Sequence, residues 1–190
     1  MKTIKSFKII YFAISLSILF ILNSCGSQTD SKHDAVKENE AKYGNVNKEK
    51  DARFLVNAAE INLKEILLGK LAQLSGIKTQ IKALGKMMEE EHTQGLEELR
   101  GLALKKEVAV PTDPTKEALD AQEQLGGGSG KDFDKEYADM MVKGHREAIA
   151  LFESVSGETV DEDIKVYILA TLPVLRKHLE HAEMVQKEIQ

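Results

Sequence analysis

From residue 51 onward the apolar residues return every three or four positions, the period of one helix face, and they do so in four long stretches. The first covers residues 52–74 and closes at Ser75-Gly76, where glycine suits a left-handed cap. The second opens near Ile77, carries the stripe Ile77, Ile81, Leu84, Met88, His92, Gly95, Leu99 and Leu102, and fades before Pro111 and Pro114. A shorter helical stretch, residues 115–125, ends in the glycine-rich turn 126–130. The third long stretch takes Asp132 as its N-cap, runs through Phe133, Tyr137, Met141, Gly144, Ala148, Leu151 or Phe152, and Val155, and stops at Gly157. The fourth opens with acids at Asp161, Glu162 and Asp163, suited to the positive end of a helix. Its stripe is Ile164, Ile168, Thr171, Leu175, His178, Ala182, Val185 and Ile189. Pro173 is expected to kink it, since proline removes a backbone donor and crowds the preceding turn. No segment alternates as a strand would. The pattern predicts an all-α chain: an antiparallel four-helix bundle with a short extra helix in the connection between the second and third helices.

The first fifty residues follow a different rule. Lys2, Lys5 and Lys8 precede an apolar run over residues 9–22 that only Ser15 and Ser17 interrupt, the layout of a secretory signal. The run is shorter than the about 20 apolar residues a membrane span requires. It ends at Leu22-Asn23-Ser24-Cys25, which resembles a bacterial lipobox, so residues 1–24 are expected to be cleaved and Cys25 to carry lipid. Two or more acyl chains would hold the protein on a membrane. Cys25 is the chain's one cysteine, which excludes an intramolecular disulfide and a cysteine metal site. Residues 26–50 are rich in Ser, Lys, Glu, Asn and Asp and too poor in apolar side chains to offset the entropy of ordering. Residues 25–50 therefore read as a lipidated cysteine and a flexible tether reaching on the order of 25–30 Å, followed by one bundle domain over 51–190. Gly26-Ser27 lacks an acidic retention signal, and by resemblance to lipoprotein sorting this favours the outer membrane, facing the periplasm.

Charge narrows the partners. Loss of residues 1–24 removes three lysines and leaves 23 cationic residues against 31 acidic ones, a formal charge of −8. Such a surface is poorly suited to nucleic acid or to direct binding of anionic lipid. The membrane partner is reached through the anchor on Cys25.

Two helices share a local pattern. Met88 precedes His92 by four residues and Met141 precedes His145 by four, so thioether and imidazole lie one turn apart on one face. Soft sulfur with imidazole suits copper; imidazoles with a carboxylate suit zinc. His178 stands on the apolar stripe of the fourth helix, and Glu65 on the first helix can add an acid. The candidate metal set is thus His92, His145, His178, Met88, Met141 and Glu65. The competing interpretation is that these histidines are core groups satisfied by Glu65, Tyr137 or backbone carbonyls, in a structural or stress-related interaction module without metal. A di-iron carboxylate centre needs two Glu-x-x-His pairs; Glu89 with His92 supplies one, but Val142 and Leu175 occupy the acid positions before His145 and His178. No nucleophile elbow, triad or phosphate loop occurs, so no catalytic residue is assigned and an enzyme is disfavoured.

These segments together resemble a known family. Phe54 to Ala59 with Glu65 and Leu68 to Ala72, Met88 with His92, Phe133 to Tyr137 with Met141 and His145, and Leu172-Pro173 with His178 to Ala182 resemble the ferritin-like family called domain of unknown function 4142, or predicted outer membrane protein. The likeness covers about residues 51–190. It implies a ferritin-like helical bundle in the cell envelope and no established activity, with its histidine positions falling on His92, His145 and His178. Gly144 stands where family members often carry an acid.

Overall fold

The computed structural model describes residues 30–44 and 46–189; Cys25 and the expected signal segment lie outside them. Among the described residues the elements are α1 (Ser31–Lys42), α2 (Val46–Ser75), α3 (Thr79–Lys106), α4 (Lys116–Gly126), α5 (Gly130–Glu158) and α6 (Glu162–Ile189), with no strand. The fold is all-α, and the four long helices and the short α4 are the predicted elements. α2 pairs with α3 and α5 with α6, and the two hairpins pack together through α3 on α6 and α2 on α5. The boundaries moved in ways the chemistry explains. The second helix starts at Thr79, leaving Ile77 in the turn before it and exposed. Ser129, not Asp132, occupies the cap position of α5, and Asp132 falls in its first turn. α6 runs as one helix through Pro173.

The α2–α3 pair is set by two glycines. A Cβ on Gly69 would stand 2.6 Å from the Gly85 carbonyl oxygen, and one on Gly85 2.7 Å from the Gly69 carbonyl oxygen. Those contacts are to backbone, which has no rotamer with which to yield, so this crossing requires glycine on both helices. The turn joining the helices is held from outside. Asp134 on α5, almost fully buried, accepts the backbone N–H of Ile77 at 2.9 Å through Oδ1 and that of Lys78 at 2.9 Å through Oδ2. These donors sit where a helix start leaves N–H groups without helical partners.

The segment expected to be a flexible tether is, from residue 31, a helix docked on the bundle. Asp30 caps α1 by accepting Lys32 N–H at 3.2 Å. Buried Asn39 donates to the Ala109 carbonyl at 2.8 Å and accepts Ala109 N–H at 2.9 Å. Ser31 donates to the Asp113 carbonyl, and Tyr43 donates to the Glu107 carbonyl. Lys32 pairs with Glu60, whose other oxygen accepts from Thr115, the cap residue of α4. α1 is thus fastened to the stretch between α3 and α4 by polar groups, with only Ala35 as a buried apolar residue. An argument from apolar content alone is blind to that kind of attachment. α2 likewise begins six residues earlier than its apolar pattern, at Val46.

The interior divides into two apolar clusters. One contains Phe54, Leu55, Leu63, Leu96, Leu99, Phe152, Ile164 and Leu175; the other contains Leu68, Ile81, Met88, Phe133, Tyr137, Met141 and Ala182. The three helices that carry the candidate histidines pass from one cluster to the other, and each histidine falls at the junction: His92 between Met88 and Leu96, His145 between Met141 and Ala148, His178 between Leu175 and Ala182.

Gly85→Ala should lower the free energy of unfolding by about 1–3 kcal/mol, the usual cost of overpacking, even though alanine is the better helix former. Gly101→Ala, on the same helix with open space around it, should instead raise it by about 0.5–1 kcal/mol. Urea denaturation of both variants checks the pair.

Candidate metal centre

His92, His145 and His178 are each 1–3% exposed. Their ring centroids form a near-equilateral triangle with sides of 5.5, 5.1 and 5.3 Å. One nitrogen from each ring belongs to a group whose members all lie within 4.8 Å of one another. Three residues from α3, α5 and α6, spaced by 53 and 33 positions in sequence, are thereby brought to one point.

The hydrogen bonds assign the tautomers. Asn62 donates its amide to the Ala58 carbonyl at 2.8 Å, which turns its Oδ1 toward His92 as an acceptor; His92 Nδ1 therefore donates to it, at 2.9 Å. His145 Nδ1 donates to the Met141 carbonyl at 2.9 Å. His178 Nε2 donates to Glu91 Oε2 at 2.9 Å. Each ring has one nitrogen committed to a protein acceptor, leaving lone pairs on His92 Nε2, His145 Nε2 and His178 Nδ1. The first two face each other at 3.4 Å, and the third is buried with no protein partner. Two lone pairs at that separation repel unless a cation lies between them. A proton is disfavoured there: burial, reinforced by His145 and His178, holds the His92 imidazole well below its ordinary pKa of 6.5. Burial also lowers His178, although Glu91 opposes it. A tetrahedral ion bound at about 2.0–2.1 Å by two imidazoles separates their nitrogens by about 3.4 Å, which is the His92–His145 distance. Orientation of each ligating ring by an acceptor on its far nitrogen is the usual support of a metal-bound histidine.

The surroundings are specific too. A cavity of about 40 Å³ bordered by Asn62, Glu91, His92, Thr171 and His178 adjoins the cluster, room enough for a water molecule. Glu91 carries a carboxylate one-third exposed at the outer edge. Burial acts to raise its pKa, but hydrogen bonds and charge from His178 and Lys177 hold it below the ordinary 4.5.

Glu65 is not among the mutually close donors. It lies behind them, fully buried, with Oε2 unpartnered and Oε1 where a Cβ on Gly144 would come within 3.2 Å. Burial raises its pKa, while His145 and Lys64 pull it down. The Tyr137 hydroxyl is also buried without a partner, and burial together with Glu65 lifts it well above 10. Neither residue satisfies a histidine, as the metal-free interpretation had them do. The absence of an acid at position 144 is matched by Glu65 filling that space. Met88 and Met141 pack in the apolar cluster beside Ile81 and Phe133. A methionine–histidine contact does form, between Met87 Sδ and His181 Nδ1 at 3.1 Å. Sequence reasoning missed Asn62 altogether; its position thirty residues before His92 carries no local signal. Glu91 is the second such partner; Glu89, the acid of the one Glu-x-x-His pair, instead accepts from Gln73 at 2.6 Å.

Long helices in two hairpins around a buried triad of oriented imidazoles define a helical-bundle protein with a candidate metal centre at its middle. Residues 35–185 match the family described as Domain of unknown function (DUF4142), and the chain belongs to that family. No curated protein and no solved structure matches it.

The pKa directions fix the sign of a pH response in the metal-free protein. His92 and His178 have folded pKa values below their unfolded ones, so the stability they contribute is complete above about pH 6.5 and is lost as pH falls through that value. Glu65 has the opposite sense: its ionisation adds no cost below about pH 4.5, and that cost grows as pH rises from there toward its elevated pKa. Denaturation of the apo protein between pH 5 and 8 should show stability falling below about 6.5. Glu65→Gln should gain stability relative to the parent as pH increases.

Proposed function

We propose that this is a lipid-anchored protein of the cell envelope that holds one late first-row transition ion, zinc or copper, through His92, His145 and His178. The observation that carries the reading is the convergence of three buried lone pairs from rings whose other nitrogens are each fixed by Asn62, the Met141 carbonyl or Glu91. Three neutral imidazoles suit both ions, and the adjoining cavity leaves space for an exogenous fourth ligand. The envelope placement draws on the cationic head, apolar run and lipobox-like Leu22-Asn23-Ser24-Cys25. Among the described residues no helix is long and apolar enough to cross a membrane.

A second reading, an interaction module without metal, draws on exposed apolar residues along one face of α6: Val166 and Leu169 are 66% and 64% exposed, with Val174 also uncovered. Metal binding separates the two.

The test is metal analysis of the protein purified in detergent without a His tag, with zinc and copper titrations of it and of the His92→Ala/His145→Ala/His178→Ala variant. One equivalent of zinc or of cupric ion bound by the parent and lost in the variant is expected, and Asn62→Ala should weaken binding about 10- to 100-fold. Equal binding by parent and triple variant, with both folded by circular dichroism, would leave the interaction module. Intact-mass measurement of the membrane fraction should show diacyl or triacyl addition that Cys25→Ser abolishes.

A further inference from the structure

A second set of soft donors lies on the surface where α3 and α6 meet. His181 Nδ1 stands 3.1 Å from Met87 Sδ. Met184, three residues after His181 and therefore on the same face of α6, borders the same groove, whose volume is about 310 Å³. Met184 is half exposed, so its side chain has rotamers free to close over an ion. The donors are two thioethers and one imidazole, with Glu188 at the rim. Oxygen-seeking divalent ions gain little from such a set, and zinc gains little from thioethers, whereas cuprous ion favours thioether sulfur and also accepts imidazole. Two such ligands on one ion, with bonds of about 2.0 and 2.3 Å, stand about 3.5 Å apart at the tetrahedral angle, so the 3.1 Å nitrogen–sulfur contact has only to open by a few tenths of an ångström to admit the ion.

Its place in the fold matters as much as its chemistry. Met87 precedes Glu91 by four residues on α3, and His181 follows His178 by three on α6. The Met87–His181 contact therefore sits one helical turn, about 5.4 Å, from the Glu91–His178 pair at the edge of the buried triad. We propose that Met87, His181 and Met184 form a surface site for cuprous ion that loads the buried three-histidine centre. The loading role rests on the metal centre proposed above; the binding itself does not. No change of oxidation state is involved, since imidazoles accept the cuprous ion as delivered.

The test uses the whole protein in detergent, with silver ion as a redox-inert probe and anaerobic cuprous ion in competition with bicinchoninate. Carbon-13 labelled methionine methyl groups provide the structural readout. The Met87 and Met184 signals should shift on adding the first soft ion. Met87→Leu/Met184→Leu, a nearly volume-conserving change, should weaken that ion by about 10- to 100-fold with zinc uptake by the triad intact. The same double variant should fill the buried centre with cuprous ion at least tenfold more slowly. In the His92→Ala/His145→Ala/His178→Ala variant the surface ion should remain; its retention there with no second equivalent in the parent would overturn the loading role alone. Unmoved Met87 and Met184 signals, or equal soft-ion affinity in parent and double leucine variant, would overturn the site.

Discussion

The crossing of α2 and α3 at Gly69 and Gly85 sets the register on which the centre depends. In an antiparallel pair each step forward on one helix is a step back on the other, so seven residues from the glycines, two turns away, Asn62 comes opposite His92. The observed 2.9 Å hydrogen bond is that registration made visible. A side chain at either glycine would push the backbones apart and carry His92 away from the acceptor that assigns its tautomer. Gly95 continues the constraint, since a Cβ there would come within 3.0 Å of Asn62 Oδ1. Close backbone approach and imidazole chemistry are therefore one design problem in this hairpin.

The polar layer is held by the apolar clusters on either side. Burial makes each unpartnered polar group costly, and His178 Nδ1, Glu65 Oε2 and the Tyr137 hydroxyl are all buried without a partner. Burial is also what lowers the pKa of His92 and His178 and so favours the neutral form that can serve as a ligand. In the metal-holding reading proposed above, the layer trades stability of the empty bundle for readiness to accept a cation, a compromise commonly met where function needs a destabilised site.

The helices were legible because their apolar stripes are regular, and the three histidines were legible because they interrupt those stripes at positions that should face inward. The rest was hidden for identifiable reasons. α1 is attached through Asn39, Ser31, Lys32 and Tyr43, whose polarity reads as solvated tether until their partners, backbone carbonyls and the Glu60 carboxylate, are known. Asn62, Glu91 and Asp134 act across helices, at sequence separations of 30, 87 and 57 residues, where no local pattern links the partners. Ile77 had the right spacing and the wrong backbone: the helix starts two residues later, after the turn that Asp134 closes. Met88 and Met141 belong to an apolar cluster, and the methionine–histidine contact between Met87 and His181 crosses from α3 to α6, which spacing within one helix does not reveal.

The docking of α1 changes the reach of the molecule. With the fold beginning at Ser31, a lipid on Cys25, as proposed, would be joined to it by six residue steps, at most about 20 Å of chain. A bundle so closely moored would sample a shallow layer above the bilayer rather than range through the compartment. Its encounters would then be two-dimensional: whatever gave the proposed centre an ion, or took one, would have to travel along the same membrane or come down to it.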